Sequence, residues 1–486
     1  MEELLKKIFG YSSFREGQKE VINSILQGRD TIAMLPTGTG KSLCYQLPAY
    51  MLNGPVLIVS PLLSLMQDQV EQLTVRGEKR AIAFNSFLPY KDRKRALEQI
   101  KQYRFIFISP EMLGQEEVIR ALQSLSLKLF VVDEAHCISQ WGPDFRPDYL
   151  QLGSIKEALH NPITLALTAT ATEKIRKDIR KCLQIDQADE WVFPVDRPNI
   201  ALFVKKFTTF SDKVKELTAL IKAVRSPGIV YFSSKRIADE LANDLNSKTT
   251  KRIASYHGGM DQDQRILIQH QFINGQLDWV FATSAFGMGI NKENVRTVIH
   301  FHMPSSMEAY AQEIGRAGRD GKDSLALLFY SKGDEEIAAI LLEQERPAFQ
   351  QIKSYMEVRK KNLGENELAE LIGLSEIQLR VLRYYEMHVK GSLDWPSVVN
   401  TQLTDRLQEK LSKLNVMKSY VNAPSCRRIL LSQAFDQTIA SASEKCCDQC
   451  GLSVELFYDV ITEKYTKAFW PNWQDRLTQL LRADLE

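Results

Sequence analysis

Thr31-Ile32-Ala33-Met34-Leu35-Pro36-Thr37-Gly38-Thr39-Gly40-Lys41-Ser42 (TIAMLPTGTGKS) runs an apolar segment into a glycine-rich turn, and the LCYQLPAYML that follows reads as a helix. Strand, glycine turn and helix in that order predict a phosphate cradle. The glycines let the backbone curl until its N–H groups converge on phosphate oxygens at the positive end of a helix. Lys41 adds a point charge suited to β- and γ-phosphates, and the Ser42 hydroxyl suits Mg²⁺. The pattern G-x-x-x-x-G-K-[ST] asks for glycine at position 35, where this chain has Leu35, so the loop is the shorter G-x-G-K-S variant. Thr37, Gly38, Thr39, Gly40, Lys41 and Ser42 are the candidate nucleotide-binding residues.

A second segment supplies acids. Phe130–His136 (FVVDEAH) reads as an apolar strand ending in paired carboxylates. Asp133 at the strand end suits the hydration shell of Mg²⁺, and Glu134 suits a base that orients and deprotonates water. A lone acidic pair is usually a solvated turn; the Lys41 loop upstream favours the catalytic reading.

Outward from these segments, short apolar runs alternate with helical patterns. Strands are expected at Thr31–Leu35, Val56–Ser60, Phe105–Ser109, Leu129–Asp133 and Thr164–Thr168, then at Gly228–Phe232, Trp279–Thr283, Thr297–His302 and Ser324–Phe329. That rhythm predicts α/β architecture with parallel sheets. It restarts after the turn-rich Asp196-Arg197-Pro198-Asn199, which divides the region into lobes at 1–200 and 201–335. Beyond Asp334 the pattern is helical: a segment at 336–400, a cysteine-bearing hairpin at 401–450, and an aromatic-rich tail at 451–486.

Composition excludes several classes. The 486 residues are 44% hydrophobic and 25% charged, and 24 glycines with 17 prolines are too few for a disordered or collagenous chain. The longest apolar stretch, 54–66, is broken by Ser60 and Pro61 and is too short to span a membrane. The opening MEELLKKIFG lacks the pattern of a signal peptide, so a soluble cytoplasmic protein is expected. A net charge of +2 means that any basic track for nucleic acid must be local. Of seven cysteines, Cys426, Cys446, Cys447 and Cys450 cluster, which reads as a metal site before it reads as disulfides.

Asp133-Glu134-Ala135-His136 resembles the corresponding motif of superfamily 2 helicases of the DExH type. With the CISQWGPDFRPDY that follows, from Cys137 to Tyr149, the chain is similar to the RecQ family of DNA helicases. Phe9-Gly10, Phe14-Arg15 and Gln18 resemble the family's adenine-reading motif, which implies that Arg15 stacks on the base and Gln18 hydrogen-bonds it. Ser60-Pro61-Leu62 through Gln67-Asp68-Gln69, and Leu167-Thr168-Ala169-Thr170-Ala171, resemble motifs Ia and III. YHGGM at 256–260, ATSAFGMGINK at 282–292 and QEIGRAGRDG at 312–321 resemble motifs IVa, V and VI. The resemblance implies two tandem RecA-like lobes and catalytic roles for Lys41, Asp133, Glu134, His136, Gln312, Arg316 and Arg319. Arg319 is the first candidate for a cation that neutralises the γ-phosphate in the transition state, and Arg316 the second. His136 reads either as a γ-phosphate sensor or as a buried, satisfied imidazole.

Trp141, Phe145 and Arg146 suit single-stranded nucleic acid, with aromatic faces for bases and a guanidinium for phosphate. Tyr149 at helical spacing reads equally as core. Pro143 stands where the family usually has His. The cysteines resemble the family's zinc module, implying structural Zn²⁺ on Cys426, Cys447 and Cys450 with Cys446 as fourth ligand. Cys446 and Cys447 are adjacent where the family spaces them, so strain is expected; a free-thiol cluster is the alternative. ELAELIGLSEIQLRVLRYYE (367–386) reads as a helix-turn-helix with Leu368, Leu371, Leu374, Leu379 and Leu382 on one face and a small wing at His388–Trp395. The family more often places a winged helix after the zinc module. Residues 360–396 are therefore either a displaced duplex-binding module or a hairpin packed on the lobes. Residues 451–486 are too few for that domain or for the family's extra C-terminal helical domain, so a short form is expected, and Phe457, Tyr458, Tyr465, Phe469, Trp470 and Trp473 predict a tail docked as core, on the zinc module or on a partner.

The resemblance implies an ATP- and Mg²⁺-dependent DNA helicase moving 3′→5′ in recombination or repair. It also implies single-stranded and forked DNA as partners, single-strand-binding or recombination proteins as further ones, no membrane, a monomer, and nucleoid association in a bacterium. A DNA translocase or remodelling clamp that does not separate strands, and a DExH RNA helicase, are the alternatives.

Overall fold

The computed structural model describes residues 1–61, 63–85, 88–139, 146–287, 292–359, 364–389, 394–438 and 446–459. Lobe 1 holds β1 (Thr31–Met34), β2 (Val56–Val59), β3 (Ala81–Phe84), β4 (Phe105–Ile108), β5 (Leu129–Val132), β6 (Thr164–Thr168) and β7 (Asp189–Val192). Lobe 2 holds β8 (Ile200–Phe207), β9 (Gly228–Tyr231), β10 (Ile253–Tyr256), β11 (Trp279–Ala282), β12 (Thr297–His300) and β13 (Ser324–Ser331). The sheets are ordered β3-β4-β2-β5-β6-β1-β7 and β10-β11-β9-β12-β13-β8, and the strand pairs in both run parallel. These are two RecA-like lobes, as the sequence predicts.

All nine expected strands are interior strands, and the four that the apolar runs did not reveal are the four sheet edges. Interior strands such as VLIV and LFVV are covered on both faces and so are continuously apolar. The edges are covered less completely: β7 reads DEWV with alternating half-buried and exposed residues, and β8 ends in a partly exposed KKF. Because β5, β6 and β1 are parallel neighbours, Asp133, the residues after Thr168 and the phosphate loop all emerge at one sheet edge.

The C-terminal region is helical among the described residues. Helices Glu365–Ile372 and Glu376–His388 are joined through Gly373 at φ 69°, and Ser375 and Gln378 cap each other reciprocally at the start of the second helix. With Phe349–Arg359 and the start of the 28-residue helix Trp395–Asn422, they enclose a separate core of Ile352, Tyr355, Leu368, Leu382, Tyr385, Trp395 and Val399. The expected leucine face is corrected at one position. Leu371 is 63% exposed, because the helix packs on this core through Leu368, Ala369 and Ile372, a face that leaves Leu371 to one side. Half of the expected wing, 390–393, lies outside the described residues. The long helix meets lobe 2 through the Lys413–Glu308 ion pair and Tyr420 against Tyr310, ring centroids 5.5 Å apart.

Phe457 of the tail is buried against Phe203 of lobe 2, and Arg225 N–H donates to its carbonyl. Tyr465, Phe469, Trp470 and Trp473 lie outside the described residues. No described helix is long and apolar enough to cross a membrane.

Candidate nucleotide site between the lobes

The phosphate loop leaves β1 through Gly38 and Gly40, both at positive φ (85° and 75°), and enters helix Leu43–Met51. Gln18 straps the loop: its Nε2 donates to Thr39 O (2.6 Å) and Gly40 O (3.1 Å), while its Oε1 accepts from Arg15 N–H (2.9 Å). The Arg15 guanidinium donates to Gly38 O. The two residues expected to read adenine therefore flank the loop itself.

Across from the loop, Glu134 follows Asp133 in the left-handed region at φ 47°. That strain in a residue with a full side chain is the kind that marks functional turns. Asp133 Oδ1 accepts from Glu134 N–H at 2.9 Å, and its carboxyl is pushed up to about 6, first by burial and then by the charge of Glu134, with Lys41 opposing. Glu134 Oε2 is buried without a hydrogen bond, 3.4 Å from His136 Nδ1.

His136 is fully buried, its Nδ1 3.0 Å from Thr168 Oγ1 and its Nε2 3.4 Å from the Gln312 amide nitrogen. Gln312, on helix Met307–Ile314 of lobe 2, also donates to Thr170 Oγ1 at 3.4 Å. The imidazole is thus both satisfied and in contact with the second lobe. Arg316 and Arg319 follow on the same turn. Arg319 is brought down to about 10, first by burial and then by Arg316 and Arg197 beside it, so it keeps its charge at neutral pH.

Lys41, Ser42, Asp133, Glu134, Gln312, Arg316 and Arg319 line one cavity of about 250 Å³ together with Arg15, Gln18, Thr37, Gly38 and Gly40. The lobes touch at its rim, where Thr37 Oγ1 donates to Gly315 O at 2.8 Å. The sequence patterns missed Arg197, which donates to Thr37 O (2.6 Å) and Gly318 O (2.6 Å). Its only signal was membership of the turn between the lobes.

Trp141 and Phe145, with Pro143 between them, lie outside the described residues. Arg146 lies 3.4 Å from Glu111, another residue the patterns missed. Tyr149 is buried core, and its hydroxyl donates to Asp133 O at 3.1 Å. Helix Glu376–His388 packs beside the same turn, Pro147–Gln151.

The four cysteine sulfurs lie within 4.8 Å of one another, with separations of 3.5 Å (Cys426–Cys446 and Cys447–Cys450), 3.8 Å (Cys446–Cys450) and 4.0 Å (Cys426–Cys447). A tetrahedron with metal–sulfur bonds of about 2.3 Å has edges of about 3.8 Å, so the set fits zinc. The expected strain at the adjacent pair is not found in the backbone: Cys447 is extended (φ −158°) and neither residue is left-handed. Arg427 N–H donates to Cys447 Sγ at 3.4 Å.

Comparison with known proteins agrees with this arrangement. Residues 15–178 match the family described as DEAD/DEAH box helicase, and 212–321 match the Helicase conserved C-terminal domain. The chain is 43% identical to the probable ATP-dependent DNA helicase RecS of Bacillus subtilis over 99% of its own length and 97% of the relative's. It is 34% identical to the ATP-dependent DNA helicase RecQ of Synechocystis over 93% and 98%. The chain belongs to the RecQ family of ATP-dependent DNA helicases. It is also 40% identical to RecQ of Haemophilus influenzae over 72% of its length, spanning 57% of that longer protein. This RecQ-family helicase is an ATP-dependent enzyme.

The rim contact leaves no room for a side chain at Gly315, where a Cβ would lie 2.0 Å from Thr37 Oγ1 and 2.9 Å from Ala311 O. Gly315→Ala is expected to force the lobes out of register at the site and cut ATP turnover about tenfold or more. Steady-state ATPase checks this, with a thermal melt to establish that both lobes remain folded.

Proposed function

We propose that this helicase couples Mg²⁺-dependent ATP hydrolysis to 3′→5′ movement along single-stranded DNA and to duplex unwinding, in recombination or repair. The observation that carries the reading is the shared cavity, with carboxylates and a lysine loop from lobe 1 facing arginines from lobe 2. Lys41 and the loop N–H groups bind the phosphates, Arg15 and Gln18 take the base, and Ser42 and Asp133 hold Mg²⁺. Bound there, the ion supplies charge neutralisation at the phosphates. Glu134 accepts a proton from the attacking water, and Arg319, with Arg316 beside it, meets the charge that develops on the γ-phosphate.

His136 and Gln312 carry the state of the site across the lobe boundary. Trp141, Phe145 and Arg146 contact the DNA strand, and the Tyr149 hydroxyl on Asp133 O links that contact to hydrolysis. Residues 360–396 contact duplex through Arg380 and Arg383, whose charges lie near Asp148 of the turn after the aromatic segment. Zinc on Cys426, Cys446, Cys447 and Cys450 is structural, since four thiolates leave no open position. Single-strand-binding or recombination proteins are the further partners, and the protein acts as a cytoplasmic monomer.

Glu134→Gln is expected to lower DNA-stimulated ATP turnover by roughly 10²–10⁴-fold while ATP binding persists. Unwinding of a 3′-tailed duplex by the unmodified protein, but not of a 5′-tailed one, tests direction; stimulated ATPase without unwinding would leave a translocase or clamp. Replacing Arg380 and Arg383 together with Ala is expected to reduce the salt-dependence slope of forked-DNA binding by about two. An unchanged slope would make the module a structural prop. Cys446→Ala is expected to drop zinc well below about one ion per chain in elemental analysis and to lower the melting temperature.

A further inference from the structure

We propose that Arg197, in the segment joining the lobes, is a positioning residue for ATP hydrolysis that holds the phosphate loop and the Arg319 turn in register. This inference rests on the reading of Arg319 as the transition-state cation. One guanidinium nitrogen donates to Thr37 O at 2.6 Å and the other to Gly318 O at 2.6 Å. Thr37 opens the phosphate loop, and Gly318 immediately precedes Arg319. A single planar fork therefore spans the two backbone segments whose relative placement decides where Arg319 meets the phosphate.

The geometry is held from both ends. Gly318 is left-handed (φ 54°), and its carbonyl also accepts from Asn199 Nδ2 at 2.9 Å, so the turn that aims Arg319 is fixed by two side chains of the joining segment. The main chain of Arg197 is fixed in turn by Arg428, next but one to Cys426, which donates to Arg197 O (3.0 Å) and Ile200 O (2.6 Å) and pairs with Asp196. Both fork nitrogens are thus engaged by carbonyls, which separates Arg197 from residues that touch the nucleotide. Arginine suits the role because two divergent donors reach two acceptors in different lobes, where a lysine offers one point of attachment. A misplacement of about 1 Å at a reacting centre costs about a hundredfold in rate, so registration of this kind falls on turnover rather than on binding.

The test uses the full chain with single-stranded DNA. Arg197→Ala is expected to lower kcat by roughly 10–100-fold while KM for ATP changes by less than about threefold. Trapping of ADP with aluminium fluoride should be lost in parallel, while a non-hydrolysable ATP analogue still binds. Arg197→Lys, which keeps the charge and one hydrogen bond, should fall between. Unchanged kcat in either folded variant overturns the proposal, as does a rise in KM that matches the fall in kcat. Melting temperature and zinc content establish folding, and if Arg197→Ala does not fold, Arg197→Lys decides alone. Arg319→Ala separates the two ideas: if it keeps turnover, the reading of Arg319 fails, whereas if it loses turnover and Arg197→Ala keeps it, only this inference fails.

Discussion

The hydroxyl of Thr37 donates to Gly315 of the second lobe, and its carbonyl accepts from Arg197 of the joining segment, which also donates to Gly318 of that lobe. The two-walled form of the cavity follows from that contact. A phosphate loop alone binds a nucleotide, and a strand ending in Asp133-Glu134 alone is an acidic turn. Only when lobe 2 is brought to the loop do Gln312, Arg316 and Arg319 close the other wall. The contact combines these polar bonds to backbone with buried apolar side chains of both lobes, among them Val195, Leu202, Ala311 and Ile314. Hydrogen bonds involving charged groups contribute about 1.5–3 kcal/mol each, enough to favour one lobe arrangement and small enough to be reversed by nucleotide chemistry.

The same logic applies to the His136 bridge. A buried imidazole held by Thr168 Oγ1 on its own lobe and by Gln312 on the other reports on both at once. Glu134, two residues earlier, occupies a left-handed backbone conformation that the hydrogen bond from its N–H to Asp133 helps to fix. Strain of that kind costs about 1–3 kcal/mol and persists because the parallel strands on either side over-determine the turn.

The sequence revealed what short contiguous patterns encode. Interior strands are apolar on both faces, so VLIV, FIFI, LFVV and WVFA announce themselves; of the edges, β7, β8 and β10 carry polar residues that hid them, while β3 (AIAF) is apolar but half alanine, a weak strand signal. Thr37 through Ser42 and Asp133-Glu134 were legible because each chemical unit is contiguous. Arg197 was not, because its partners Thr37 and Gly318 are more than a hundred residues away and nothing in DRPN announces them. Leu371 misled for a related reason: leucine spacing predicts a buried face, but the helix packs through Leu368, Ala369 and Ile372, and that choice is set by distant core partners.

Charge explains why these arginines belong together. Arg15, Arg316 and Arg319 line the cavity, and Arg197 stands behind it. In the absence of an anion they repel, which is why Arg316 and Arg197 contribute to bringing Arg319 down to about 10. The carboxylates Asp133 and Glu134 answer part of that charge, and burial first, then the charge of Glu134, hold Asp133 up at about 6. Lobe 1 lines the cavity with Arg15, Lys41 and Arg76 beside Asp133 and Glu134, and lobe 2 adds Arg316, Arg319 and Glu293, so the cations outnumber the carboxylates. On the proposed function, the phosphates of ATP meet the cations and the divalent ion meets the carboxylates. Occupancy there would relieve both repulsions and favour lobe closure, and loss of the γ-phosphate would return the repulsion that favours opening.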